Sequence, residues 1–279
     1  MRRFTFSLLA TALLALPASA QTLERIKETG ELKLGYRTDA APLSFTDEQG
    51  QPAGYSTLLC AGVAQAIANQ LQMTDLLATF HAVDATDRFD KVASGEIDLL
   101  CGAATITLER RELVDFSVPT YVDGTAVLLP KDASDDLAEL VGKKVGVRSG
   151  TTTLEALNNT IASLGVEAEV IRFVDHKAGL AAMKSGEIDA YFADQSILLY
   201  LAYAGQEAKP FKVTGTILTI EKQGLAMARG DADFRLVVDR AISDLFNNGT
   251  MEELFQRALP GAEPGVAIQA MHLLSPTIP

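Results

Sequence analysis

The sequence has no tryptophan, two cysteines and three histidines among 279 residues, and basic charge is scarce, with 24 Lys and Arg against 36 Asp and Glu. A chain with a formal charge of −12 is a poor partner for nucleic acid, because phosphate contacts need clustered Lys and Arg. Glycine and proline are too few for a collagen-like or low-complexity architecture. Nothing after residue 20 reaches the length of a membrane-spanning helix, the most apolar stretch being Ile197 to Ala204. No metal-spaced His/Cys cluster, evident nucleophile or acid/base pair stands out, so no catalytic residue, metal or cofactor is assigned. What is present is a composition 48% hydrophobic and 22% charged, that of a folded globular chain.

The N-terminus has the three parts of a secretory signal: Met1-Arg2-Arg3, an apolar run from Phe4 to Leu16, and small residues in Pro17-Ala18-Ser19-Ala20. We expect residues 1–20 to be removed after Ala20, leaving a soluble exported chain. No cysteine stands at the new N-terminus to carry a lipid. Cys60 and Cys101 would then occupy an oxidising compartment.

An internal echo organises the remainder. Ser94-Gly95-Glu96-Ile97-Asp98 recurs 91 residues later as Ser185-Gly186-Glu187-Ile188-Asp189. Each copy follows an amphipathic helix, with glycine at the helix end where a left-handed backbone is needed. Each precedes an apolar strand, Leu99-Leu100 or Ala190-Tyr191-Phe192. Further segments fit alternating strands and helices: a strand from Glu31 to Tyr36, a helical stripe of Cys60, Val63, Ile67 and Leu71, a strand from Lys144 to Val147 and a helix from Leu154 to Leu164. The pattern predicts an α/β protein of two lobes with largely parallel sheets, ligands lying outside the carboxyl ends of the strands. The last helices run from Phe234 to Phe246 and from Met251 to Ala258, and the Pro-, Gly- and Ala-rich end reads as a loosely held tail.

Several strand ends carry ligand-competent groups. Gly102 to Arg111 begins where the first echo strand ends, and there Thr105 offers a hydroxyl and Arg110 a planar fork suited to a carboxylate. The same spacing fits a capped surface helix with solvated arginines. Ser149-Gly150-Thr151-Thr152 precedes a helix, with Thr152 and Glu155 spaced as a capping box and the helix start open to an anion. Asp194 follows the second echo strand and suits either an ammonium group or a helix cap. Arg37 follows the first strand and Arg88 opens the first echo helix.

Taken together, Gly35-Tyr36-Arg37 with Pro42, Gly54-Tyr55-Ser56, Arg88, Cys101-Gly102 through Arg110, Ser149 to Thr152, Asp175-His176 and Asp194 make the chain resemble the polar amino acid binding proteins of bacterial ABC importers, solute-binding protein family 3, in its glutamate/aspartate branch. The likeness runs from about Thr22 to Pro260. It implies a two-lobed periplasmic-binding-protein fold (Venus-flytrap, type II) with two crossover strands. The expected lobes are residues 21–122 with a return at 226–260, residues 123–225, and a tail at 261–279.

By resemblance, Arg110, Thr105 and the backbone at Ala103 hold the ligand's α-carboxylate, Asp194 its ammonium, and Thr151 and Thr152 add contacts from the second lobe. Arg37, Arg88 and His176 face a side-chain carboxylate. Ala103 and Ala85 stand where this branch carries serine. Three arginines against Asp194 give +2, which favours an acidic amino acid over an amide. The expected protein is a monomeric periplasmic receptor for L-glutamate and L-aspartate that serves a membrane permease, with no nucleic-acid partner and no enzymatic step. The alternatives are an exported dehydratase of similar fold acting on prephenate or arogenate, and a receptor for another polar amino acid. In that fold Cys60 and Cys101 fall in one lobe, and with export they are expected to pair; closing a 41-position loop is worth about 4 kcal/mol by chain entropy.

Overall fold

The computed structural model describes residues 22–203 and 210–278; the expected signal segment, residues 1–20, lies outside them. Two five-stranded sheets dominate. In the first, strands Leu77–Val83, Glu31–Arg37, Leu99–Cys101, Ala226–Ala228 and Val114–Phe116 lie side by side in that order. In the second, the order is Glu169–Phe173, Lys144–Arg148, Ala190–Asp194, Thr125–Pro130 and Phe211–Val213. In each sheet the first three strands are parallel and the fourth runs against the third. Two antiparallel strands, Tyr121–Asp123 and Glu221–Gln223, cross between the lobes.

The sequence echo is a structural repeat. Asp98 accepts the Lys33 N–H at 2.8 Å and returns its own N–H to the Lys33 carbonyl. Asp189 does the same with Lys144. Ile97 fills the space over Gly35 and Ile188 the space over Gly146, so close that a Cβ on either glycine would lie 2.2 or 2.5 Å from the isoleucine Cδ1. Gly95 and Gly186 both take the left-handed backbone that ends a helix, φ +74° and +73°. The repeat extends back along each strand as Lys33-Leu34-Gly35-Tyr36-Arg37 and Lys144-Val145-Gly146-Val147-Arg148, so Arg37 and Arg148 occupy equivalent strand ends.

Helix Tyr55–Leu71 buries Cys60, Val63 and Ile67 fully, and Leu71 packs partly buried at its end. Cys60 is joined by a disulfide to Cys101, which ties this helix to the strand that leads into Gly102.

Two local expectations change. Thr152 and Glu155 make no capping box, because helix Thr152–Leu164 already contains Thr152 in its first turn and the Thr152 hydroxyl donates instead to Glu221. The C-terminal segment is not a loose tail: Val266–Leu274 is a helix that packs on crossover strand Tyr121–Asp123. Ile268 and Met271 are spaced on one helical face and buried, and the Thr277 N–H bonds Ser243 Oγ at 3.0 Å.

Candidate functional site

The strand ends of both sheets converge on one small cavity, open to a water-sized sphere over only about 10 Å³. Its walls are Arg37, Arg88, Ala103, Thr105, Arg110, Thr151, Thr152, His176, Asp194 and Ile197. All nine residues singled out from the sequence are therefore brought together, with Ile197 added. The larger cavity, about 900 Å³, lies behind the crossover strands and is lined by residues such as Leu199, Tyr200, Ile217 and Ile220, with no cationic side chain.

Each arginine is held differently. Arg37 ends its strand against Gly102 and donates Nε and Nη2 to Asp39 Oδ1 at 2.9 and 2.6 Å. Arg110 donates to the Thr105 carbonyl at 2.7 Å, and its guanidinium lies 4.9 Å from the Phe89 ring centroid. Arg88 lies 4.6 Å from the same ring and is only 2% exposed. It donates to the carbonyls of Ala85 and Gly150, has no carboxylate partner, and its buried Nε has no partner among the described residues. Burial, and then the charges of Arg37, Arg110 and Arg148, hold its pKa well below the usual arginine value.

His176 is buried, and its Nδ1 lies 3.0 Å from the Tyr191 hydroxyl. Its Nε2 is buried without a partner among the described residues. Burial and the nearby Arg37 push its pKa down to about 3, so the ring is neutral at pH 7. Asp194 accepts from Thr153 Oγ1 at 3.3 Å and Gln223 Nε2 at 2.9 Å. Burial and the Glu221 charge raise its pKa above the ordinary carboxylate range.

Three charged residues of the site escaped the reading from sequence. Glu221, on the second crossover strand, accepts from Thr105 at 2.7 Å and Thr152 at 2.6 Å through Oε2, and from Thr219 and Thr125 through Oε1. Burial works against its ionisation, but these hydroxyls outweigh it and hold the carboxyl below its ordinary value. Asp39 joins Arg37 to Arg148, whose Nε reaches Asp39 Oδ2 at 2.6 Å. The charge balance changes accordingly: Arg37, Arg88, Arg110 and Arg148 are matched by Asp39, Asp194, Glu221 and, at the rim on Arg148, Asp84 when all four acids are ionised. A signal for Arg148 was present in the repeated Lys-x-Gly-x-Arg pattern; Glu221 sits in no pattern that marks it.

Two lobes joined by crossing strands, with charged groups from both facing one cleft, define a protein that closes around a small polar molecule. The model for bacterial extracellular solute-binding proteins, family 3, matches residues 32–260, and the chain belongs to that family. It is 32% identical to an L-glutamate/L-aspartate-binding protein of Pseudomonas aeruginosa, over 91% of this chain and 88% of that one. It is 29% identical to a glutamate/aspartate import solute-binding protein of Escherichia coli, over 87% and 81% of the two chains. Among solved structures it matches an ancestral amino acid-binding protein described as a precursor of cyclohexadienyl dehydratase, with a TM-score of 0.73, 26% identity and coverage of 85% and 98%.

Proposed function

We propose that the chain is the periplasmic substrate-binding component of an amino acid ABC importer, exported by a signal cleaved after Ala20 and acting as a monomer, and that it holds L-glutamate or L-aspartate between its lobes. The observation that carries this reading is Arg88, a buried cation with no anionic partner among the described residues. A second carboxylate on the ligand supplies that partner. The unpartnered His176 Nε2 at the same cavity is a further contact for that carboxylate when it carries the proton.

At the other end, Arg110, Thr105 and the backbone at Ala103 take the α-carboxylate, and Asp194 takes the ammonium. The Thr105 and Thr152 hydroxyls are engaged with Glu221 and must turn from it to donate to the ligand. Thr151, whose hydroxyl bonds the Arg148 carbonyl, offers its backbone and a lone pair. Arg37 is already paired with Asp39, so it sets the local field while Arg88 meets the side-chain carboxylate directly. The ligand stabilises closure because it touches both lobes only when they meet, and it leaves chemically unchanged for the permease.

The dehydratase reading keeps some support from the solved neighbour described as a dehydratase precursor. A paired experiment separates the two. Arg110→Ala is expected to abolish L-glutamate binding in calorimetry, and incubation of the wild type with prephenate or arogenate is expected to return them unchanged. Turnover of either compound, lost in Arg110→Ala, would replace the receptor reading with the enzyme.

A further inference from the structure

The lobes are tied together by side chains that do not line the ligand cavity. Arg148 ends strand Lys144–Arg148 of the second lobe. Its Nε donates to Asp39 Oδ2 at 2.6 Å and its Nη2 to Asp84 Oδ2 at 2.9 Å, both acids belonging to the first lobe. Its Nη1 bonds the Ser149 carbonyl at 2.8 Å, so every guanidinium nitrogen is used. The Arg148 side chain is 3% exposed and that of Asp39 12%, whereas Asp84 stands half exposed at the rim.

Asp39 is the pivot. One of its oxygens takes Arg37 and the other takes Arg148, the equivalent arginines of the two repeated strands. A single carboxylate therefore bridges two guanidinium groups that would otherwise repel across the cleft. Burial opposes its ionisation, but Arg37, His176 and Arg148 outweigh that and hold it at about 2. When the lobes part, Asp39 keeps Arg37, which lies on its own lobe, but Arg148 loses both acids.

We infer that Arg148, with Asp39 and Asp84, is a latch between the lobes that favours the closed form without help from the ligand and thereby tightens ligand binding. An apparent dissociation constant rises as the population competent to hold ligand falls, so a latch that raises the closed fraction lowers that constant in proportion. The charge-assisted geometry, two carboxylates on one planar fork, is the arrangement in which arginine holds acids most strongly.

The affinity effect rests on the proposed ligand reading; the latch itself does not. The test is small-angle scattering of the protein refolded free of ligand, as wild type, Arg148→Met and Asp84→Asn, followed by calorimetric titration with L-glutamate. The wild type is expected to scatter as the closed form, Arg148→Met as a more extended particle, and Asp84→Asn between them. L-glutamate affinity is expected to weaken about tenfold in Arg148→Met and severalfold in Asp84→Asn. Should Arg148→Met fail to fold, Asp84→Asn carries the test, because asparagine keeps an oxygen for the two Thr86 donors and replaces the one that meets Arg148. A stripped wild type that already scatters as the open form, or variants that stay as compact as the wild type, would overturn the latch. Failure of all three proteins to bind L-glutamate while the scattering differs would sink the ligand assignment and leave the latch standing.

Discussion

Replacing Arg88 with methionine should stabilise the ligand-free protein and damage glutamate binding at the same time. Arg88 is a fully buried guanidinium beside three other arginines, with no carboxylate bonded to it among the described residues and the charge of Asp194 too weak to offset them. Burying one ion costs several kcal/mol even after relaxation, and each neighbouring like charge adds on the order of 1 kcal/mol. Its hydrogen bonds to the Ala85 and Gly150 carbonyls return about 1.5–3 kcal/mol each. The balance left by removing the charge while keeping an apolar stem against Phe89 is a gain of about 1–4 kcal/mol. For a chain of this size that corresponds to a midpoint roughly 3–10 °C higher in a thermal melt of stripped protein. Glutamate, by contrast, would then bury a carboxylate without its cation, a loss of about 3–5 kcal/mol, or on the order of a hundred- to several thousandfold in affinity. Glutamine should lose far less. A melt that falls by several degrees in Arg88→Met, or equal losses for glutamate and glutamine, would refute the view that Arg88 is a cation waiting for the ligand's second acid.

Asp194 supplies a pH signature. Burial and Glu221 raise its folded pKa, so part of it is protonated in mildly acid solution, whereas an ammonium group favours the ionised form. Binding should release a proton between about pH 5 and 7 and weaken as the pH falls; calorimetry in buffers of different ionisation heat reads this directly, and Glu221→Gln should move it to lower pH. His176, held neutral down to about 3, should contribute no inflection in that range, so His176→Gln should leave the shape of the pH profile intact. In stability terms, the depressed Asp39 contributes in full above the ordinary aspartate pKa, and that part is lost as the pH drops from about 4 towards 2. Replacing Cys60 and Cys101 together by alanine should cost about 4 kcal/mol in urea unfolding, since the bond closes a loop of 41 positions. An unchanged midpoint would show that the bond constrains little in the unfolded chain.

Much of the fold was legible because the protein repeats itself. The Ser-Gly-Glu-Ile-Asp echo fixes a helix end, a reciprocal aspartate contact and an isoleucine packed on a strand glycine, and those three features recur in both sheets. Site residues at strand ends were legible for a related reason: in a parallel sheet the carboxyl ends of neighbouring strands open on the same side. Arg37, Gly102, Ser149 and Asp194 all follow from that rule. What the sequence concealed was pairing. Asp39 lies two residues beyond Arg37 in a short hairpin strand, and nothing in the local pattern says that its carboxylate turns back to Arg37 and across to Arg148. Glu221 is remote in sequence from Thr105 and Thr152, 116 and 69 residues away, and only the fold, which bridges Thr105 to Gln223 on the same crossover strand, brings them together. The C-terminal helix was hidden by the Pro and Gly that precede it, though Ile268 and Met271 carry the apolar surface that seats it.

The most direct test is one titration: the mature protein, refolded to remove any carried ligand, against L-glutamate, L-aspartate and L-glutamine in a calorimeter. One-to-one binding of both acids, with glutamine at least a hundredfold weaker by the cost of leaving Arg88 without an anion, is the predicted result. Glutamine binding as tightly as the acids, or no binding of either acid, would contradict the claim that this cleft is built around a second carboxylate.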